Sequence, residues 1–302
     1  MNITLTGASG FLGKRLIAHL LSEGHTLHLA GRRAPADLTS SMAFSPWPST
    51  SSAFPQEALR AADAVIHLTG EPVAQRWSEE VKGRIRSSRV EGTQKLVEAM
   101  ADSGRRPAAL VCASATGFYG DRGDEILTEE SRSGAGFLAD VCVAWERAAD
   151  AARDLGVRVV KIRTGIVLGP GGGALEKILP PFRAGAGGKL GSGKQWMSWI
   201  HLDDIADLFT FAARNDSVQG ALNGTAPEPV RNEDFTHELA HTLHRPAIFP
   251  VPKIALRVLF GEMADVLLSS SRAVPQAVEA AGFRFRFPSL SRALEGLFGQ
   301  EG

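Results

Sequence analysis

The chain has one tyrosine, Tyr119, in 302 residues, and Gly123 rather than lysine stands four positions later. A Tyr-x-x-x-Lys proton-transfer pair is therefore excluded everywhere in it. Cysteine is almost as scarce: Cys112 and Cys142 cannot build a disulfide framework, and no paired CxxC clusters offer a zinc site. A reducing, cytoplasmic setting is the expectation. No stretch approaches the ~18 consecutive apolar residues of a membrane span, and Met1 leads into an apolar strand pattern instead of a basic leader. Neither sign of charge is in excess, with 33 Lys and Arg against 33 Asp and Glu, so the basic field that draws a protein to nucleic acid is missing. Neither a membrane nor a nucleic-acid partner is expected.

What is present suits a folded α/β chain. Hydrophobic residues make up 44% and charged residues 22%, which excludes disorder, and the length suits a large domain with a smaller appendage. Short apolar runs at 2–6, 25–30, 63–68, 108–113 and 157–163 alternate with helical spacing at 11–23, about 77–103 and about 136–155. That rhythm is one of parallel strands joined by crossover helices. Residues 34–56 are rich in Pro and Ser and read as an irregular surface connection, with at most a short strand around 42–44. Past residue 165 glycine dominates two stretches, GPGGG at 169–173 and AGAGGKLGSGKQ at 184–195, each able to wrap a ligand or link elements. Helices are expected near 203–213, 232–244 and from Pro250 to about Leu268, and residues 283–287 alternate like a half-buried strand. The expected architecture is a Rossmann-type, doubly wound parallel sheet over residues 1–166, to which later segments can add a strand. A smaller C-terminal substrate-side lobe spans 167–302.

Gly7, Gly10 and Gly13 follow the first strand and open the first helix, with Ser9, Phe11 and Leu12 between and beside them. In that context the spacing signals dinucleotide binding: the glycines allow a tight turn and close backbone approach, and the pyrophosphate sits at the helix N-terminus. The second strand ends in Gly31, Arg32 and Arg33, with no acid before Asp37. An acid there would hold a ribose 2′-hydroxyl, whereas arginine suits a 2′-phosphate, so NADP(H) is the expected cofactor, led by Arg32. The plainer alternative is two solvated arginines at a strand end.

With these residues in hand the chain resembles an extended short-chain dehydrogenase/reductase, of the NAD(P)-dependent epimerase/dehydratase superfamily, nearly end to end. His67 to Gly70 (HLTG), Val90-Glu91-Gly92-Thr93, Ser114 to Gly120 (SATGFYG) and Ser198 to Asp204 (SWIHLDD) each match a family segment. More narrowly, Gly70-Glu71-Pro72, Arg76-Trp77, Ser88-Arg89-Val90, Gly171 to Ala174, Gly191-Ser192-Gly193 and Ala281-Gly282-Phe283 are similar to an "epimerase family protein" branch with its own C-terminal extension. The resemblance implies that Leu68, Thr69, Gly70, Glu71, Arg89, Arg163 and Val167 join the glycine turn around the cofactor. For Arg89 the bland alternative is a surface ion pair with Glu91 or Glu98.

The pattern breaks at the catalytic helix. Aligning the family's glutamate on Glu146 puts Cys142 where lysine belongs and Leu138 where tyrosine belongs. Leucine has no proton to give, and Cys142 on an apolar helix reads as a small buried hydrophobe before it reads as a nucleophile. The substitute catalytic candidates are Ser114 and Tyr119; counting back from Tyr119 puts Ala115 at the usual hydroxyl position, with Thr116 next to it. Tyr119 is also open to a structural role, and Glu71 to a role as base or as a ribose or backbone contact. His201 with Asp203 and Asp204 reads as a structural histidine beside a helix-capping aspartate. His237-Glu238-x-x-His241 matches the letters of a zinc motif, yet the dinucleotide resemblance accounts for the chain without metal, and no metal site is assigned. Gly188 to Lys194 mimics a P-loop but is followed by Gln195 instead of Ser or Thr, and it reads as a mobile substrate-side loop or a plain linker. The functional expectation is an NADP(H)-binding, epimerase/dehydratase-like oxidoreductase for a small carbonyl or sugar-like substrate, including a nucleotide sugar. The rival, from another class, is a catalytically silent NADP(H)-binding sensor or regulator. The oligomeric state is left open.

Overall fold

The computed structural model describes residues 1–299. Thirteen strands are described: β1 (Asn2–Thr6), β2 (Thr26–Gly31), β3 (Met42–Pro46), β4 (Ala64–His67), β5 (Ala109–Ala115), β6 (Ile126–Leu127), β7 (Arg158–Thr164), β8 (Ile166–Leu168), β9 (Trp196–Met197), β10 (Trp199–His201), β11 (Gly220–Gly224), β12 (Val230–Arg231) and β13 (Arg272–Ala273). The helices are α1 (Phe11–Ser22), α2 (Glu79–Ala101), α3 (Phe137–Asp150), α4 (Gly173–Arg183), α5 (Leu202–Arg214), α6 (Asn232–Thr242), α7 (Lys253–Phe260), α8 (Met263–Leu268), α9 (Gln276–Ala280) and α10 (Leu290–Phe298). None of them is long and apolar enough to cross a membrane.

Seven strands form one sheet in the order β11-β7-β5-β4-β1-β2-β3, and every pairing is parallel. A parallel sheet is covered on both faces, so its central strands are buried along nearly their whole length. β4 is buried at all four positions, and β1 at Ile3, Thr4, Leu5 and Thr6. One face carries α1 and α5, through Leu16, Leu20, Ile205, Leu208 and Phe209. The other carries α2 and α3, through Leu96, Met100, Trp145 and Ala149. α2 starts where the Ser78 hydroxyl accepts the Val81 N–H, with Glu79 and Glu80 in its first turn to meet the helix dipole.

The lobe has its own core, built from Leu175, Phe182, Trp199, Phe235, Leu239, Leu294 and Phe298. Residues after 166 also return to the large domain: β11 joins the main sheet beside β7, and α5 supplies one layer of its core. Strand pairing and side-chain hydrogen bonds stitch the C-terminal extension back to the rest of the chain. β13 pairs with β6, the Asn223 amide donates to the Val274 carbonyl, and the Asp204 carboxylate accepts the Arg286 and Phe287 N–H groups at 2.8 and 3.0 Å.

Three expectations change. Residues 34–56 are more than a surface connection: β3 extends the sheet edge, and Trp47 and Phe54 are buried edge to face against each other at 4.8 Å. Residues 283–287 are not a strand. Among the described residues they pair with no strand; Phe283 and Phe285 pack into the α1–α5 layer while a carboxylate takes the N–H groups of Arg286 and Phe287. The 184–195 loop is held fast: Leu190 N–H donates to Asn232, Gly191 N–H to the Val251 carbonyl, and the buried Gln195 amide to the carbonyls of Leu190 and Leu267.

Candidate functional site

At the carboxyl ends of β1 and β4 two turns touch. Gly7 has φ +73°, and a Cβ there would lie 2.9 Å from the Leu68 carbonyl carbon, so only glycine permits this approach. A Cβ on Gly13 would lie 2.2 Å from the Gly7 oxygen, which explains the third glycine as a packing requirement between turn and helix. α1 opens at Gly10 with no side-chain cap and no acid in its first turn, and Ser9 and Gly10 are exposed. The positive end of the helix is thus left for an outside anion. Leu12 is half-buried beside it, and the Phe11 ring is enclosed by Gly169, Gly172 and Gly173, where added Cβ atoms would meet it at 3.0, 2.6 and 2.8 Å. The GPGGG stretch is therefore the wall over the start of α1, and its lack of side chains is what admits the ring. The half-buried Val167 adjoins this wall through its carbonyl, 3.1 Å from where a Cβ on Gly173 would stand.

At the end of β2, Gly31 is half-buried, and Arg32 and Arg33 are exposed, their guanidinium groups without a partner among the described residues. Across the sheet, His67 is wholly buried, sharing hydrogen bonds with the hydroxyls of Thr6 at 2.7 Å and Thr93 at 3.1 Å. The loop it leads into, Leu68, Thr69, Gly70 and Glu71, is pinned from α2. Ser88 Oγ accepts the Glu71 N–H at 2.9 Å, and Arg89 Nη1 donates to the Glu71 carbonyl at 2.9 Å and to the Ile85 carbonyl at 3.1 Å. Arg89 does not form the surface ion pair with Glu91 or Glu98. Its guanidinium lies under Gly70 and 5.2 Å from the Trp145 ring centre, and burial lowers its pKa. The Glu71 carboxylate is half-buried and loosely held, 3.3 Å from the Gln75 amide and 3.8 Å from Arg84 Nε.

The dyad positions face the end of β5. Leu138 stands over Gly117, where an added Cβ would meet the leucine Cβ at 3.4 Å. Cys142 is buried; burial first, then Glu146, pushes its thiol up to about 11 against the opposing pull of Arg89. It is a protonated thiol at neutral pH and no nucleophile.

The two catalytic candidates belong to a buried network. The Ser114 hydroxyl donates to Glu146 Oε1 at 2.7 Å, and Arg163 clamps the same carboxylate through Nε at 2.9 Å and Nη2 at 3.0 Å. Arg163 Nη1 donates to the Tyr119 hydroxyl at 3.0 Å, which lies 2.7 Å from Asn223 Oδ1. Tyr119 is fully buried and its pKa is raised, chiefly by that burial. The hydroxyls of both catalytic candidates are thus buried and hydrogen-bonded inside this network. The Arg163 guanidinium is engaged by Glu146, Tyr119 and the Glu129 carbonyl and stacks 3.5 Å over Phe118. Sequence reasoning used Glu146 only as an alignment marker and missed this ion pair, because its partners sit on α3 and β7 with no shared local pattern.

His201 is structural, but it caps α5 itself: its Nδ1 accepts the Asp203 N–H at 3.1 Å, and its ring lies 3.9 Å from that of Phe287. The expected aspartate cap is absent, because Asp203 pairs with Arg15 at 2.6 Å and Asp204 turns to the C-terminal extension. Among the described residues no three His, Cys, Asp or Glu side chains gather as metal ligands, and the rings of His241 and His244 stand 6.5 Å apart.

Comparison with known proteins gives a consistent picture. The family model for the NAD dependent epimerase/dehydratase family matches residues 3–223, and a domain of unknown function, DUF1731, matches 251–297. An epimerase family protein of Mycobacterium bovis is 42% identical over 97% of this chain and 96% of its own length. A chloroplastic one of Arabidopsis thaliana is 39% identical over 98% of this chain and 86% of its own. Among solved structures, the human epimerase family protein SDR39U1 with NADPH superposes at a TM-score of 0.89 with 31% identity over 99% of both chains. A nucleoside-diphosphate sugar epimerase of Corynebacterium glutamicum does so at 0.81 with 36% identity, over 99% of this chain and 58% of its own. The chain belongs to the NAD dependent epimerase/dehydratase family.

Proposed function

We propose that this protein binds NADP(H) and acts as an epimerase/dehydratase-type oxidoreductase on a small carbonyl or sugar-like substrate. The observation that carries the reading is the pairing of an uncapped α1 N-terminus with two unpartnered guanidinium groups at the end of β2. Such a pair fits a pyrophosphate and a ribose 2′-phosphate. The human relative solved with NADPH supports the same cofactor.

In this reading Gly7, Ser9, Gly10, Phe11, Leu12 and Gly13 hold the pyrophosphate, and Gly31, Arg32 and Arg33 the 2′-phosphate. Leu68, Thr69, Gly70, Glu71 and Val167 line the rest, with Arg89 holding their loop in place and adding positive charge beneath it. The nicotinamide supplies the hydride chemistry when bound. The protein orients the substrate and excludes water, and Glu71 is the loosely held ionisable group beside the glycine loop that can move a proton. A nucleotide sugar is one candidate substrate, as the name of the Corynebacterium relative suggests. A cytoplasmic location belongs to the proposal on the strength of two buried free cysteines, although the Arabidopsis relative is named chloroplastic.

One observation favours the second reading, a silent NADP(H) sensor: the dyad positions hold Leu138 and a Cys142 thiol that burial keeps protonated. A panel of aldehydes, ketones and nucleotide sugars, followed by NADPH absorbance and by product analysis, separates the two. The enzyme reading expects turnover with at least one class and a loss of roughly 10²-fold or more in Glu71→Gln with NADPH affinity retained. Tight NADPH binding without turnover across the panel would transfer the protein to the sensor class.

A further inference from the structure

We propose that the face formed by residues 248–259 docks on an anionic lipid bilayer. Nine large apolar side chains are exposed among the described residues, and five of them fall within these twelve positions: Ile248 (71%), Phe249 (58%), Ile254 (78%), Val258 (67%) and Leu259 (63%). Apolar side chains scattered singly on a surface need no explanation, but a group of this size calls for a partner. Three prolines, Pro246, Pro250 and Pro252, bracket the Ile248-Phe249 tip and stiffen it, and α7 carries the other three side chains.

The charge around this face selects the partner. The chain as a whole is balanced, and residues 239–261, bordered by Glu238 and Glu262, contain no Asp or Glu; the exposed Arg245 and Lys253 have no acidic partner among the described residues, whereas the exposed Arg257 is ion-paired. Arg257 reaches outside the segment to Asp265 at 3.1 Å. Protruding apolar tips beside basic side chains are the composition of a surface that inserts among acyl chains and attracts anionic headgroups. A second copy of the chain suits the face poorly, because antiparallel pairing of α7 about a two-fold axis would set Lys253 and Arg257 of each copy against those of the other. A protein partner would bring its own apolar anchors and look for pockets to seat them. Two cavities, of about 660 Å³ beside α1 and α5 and about 530 Å³ around Asp124 and Arg231, include no residue of this face.

Position gives the contact a consequence. Arg76 donates to the Val258 carbonyl at 3.1 Å, and Lys82 pairs with Glu262 at 2.5 Å, so α7 and α8 are tied to the loop that follows Glu71 and to the start of α2. A bilayer seated on α7 therefore lies beside the loop that continues from the candidate site. This docking is peripheral and needs no spanning helix. It does not depend on which cofactor reading holds.

The test is co-sedimentation of the full chain with phosphatidylcholine vesicles with and without phosphatidylglycerol. The expected result is binding that requires phosphatidylglycerol and weakens in about 0.5 M salt, where charge screening shortens to a few ångströms. The double variant I254E/V258E should lose about tenfold or more of it, and K253Q/R257Q should lose several-fold on the anionic vesicles only. All four positions are exposed, and circular dichroism confirms that the variants fold. Absence of binding to anionic vesicles, or binding that the variants leave unchanged, overturns the proposal. If light scattering instead shows a dimer that I254E/V258E dissolves, the face belongs to a second copy and the lipid assignment falls.

Discussion

The hydrogen bonds around His67 fix its proton. Thr93 donates its hydroxyl proton to the Arg89 carbonyl at 2.6 Å, so toward His67 it can only accept, and the ring must carry its hydrogen on Nε2. Nδ1 then accepts from Thr6, whose oxygen also takes the Leu68 N–H at 3.2 Å. The ring is neutral, and burial holds its pKa down to about 3. In the unfolded chain a histidine titrates near 6.5, so between those values the unfolded chain binds a proton that the folded one refuses. Stability from this site is complete above about pH 6.5 and declines as pH falls toward the folded value. His67→Gln should therefore cost about 1–3 kcal/mol at pH 7, and its thermal midpoint should fall less steeply than wild type between pH 7 and pH 5. Equal pH slopes for the two proteins would contradict a neutral buried ring. Residue roles were unevenly visible beforehand: the glycines were legible because backbone geometry dictates them locally, whereas the fates of Ser114, Tyr119 and Arg163 depend on Glu146 and Asn223, which reach them from other elements.

Elements follow the same division. Strands and helices of the large domain were readable from periodicity because each packs a continuous apolar stripe on a sheet that buries both faces. β3 was obscured by its Pro- and Ser-rich flanks, and it is held by pairing with β2 more than by its own composition. Residues 283–287 showed strand-like alternation for a different reason: Phe283 and Phe285 both turn to the α1–α5 layer, and the backbone that would have joined a ladder is satisfied by Asp204. That carboxylate is buried and its pKa raised, chiefly by burial, even with two N–H donors on it. Asp204→Ala leaves both donors without their acceptor and should cost about 2–5 kcal/mol, read as a lower urea midpoint. Hydrogen exchange should locate the damage, with faster exchange at amides 286–298 and unchanged protection in β1, β4 and β5. Uniform loss of protection across the sheet would show that the clasp is not local to the extension.

At the scale of the whole molecule, a Rossmann-like parallel sheet with a lobe and a C-terminal extension carries α3, on which Leu138 and Cys142 stand at the positions aligned with the family's Tyr and Lys. The proposed cofactor site could be read from sequence because a turn, a helix end and a strand end supply its residues in order along the chain. The proton source could not, since it is a question of which side chains converge, and the two hydroxyls chosen from sequence are locked into the core. Titration of the purified protein with NADPH and with NADH, for wild type and Arg32→Glu, tests the proposed cofactor most directly. A charge-assisted contact to the 2′-phosphate is worth about 1.5–3 kcal/mol, so wild type should bind NADPH at least roughly tenfold more tightly than NADH, and Arg32→Glu should abolish that preference. Tighter binding of NADH than NADPH by the wild-type protein would contradict the account.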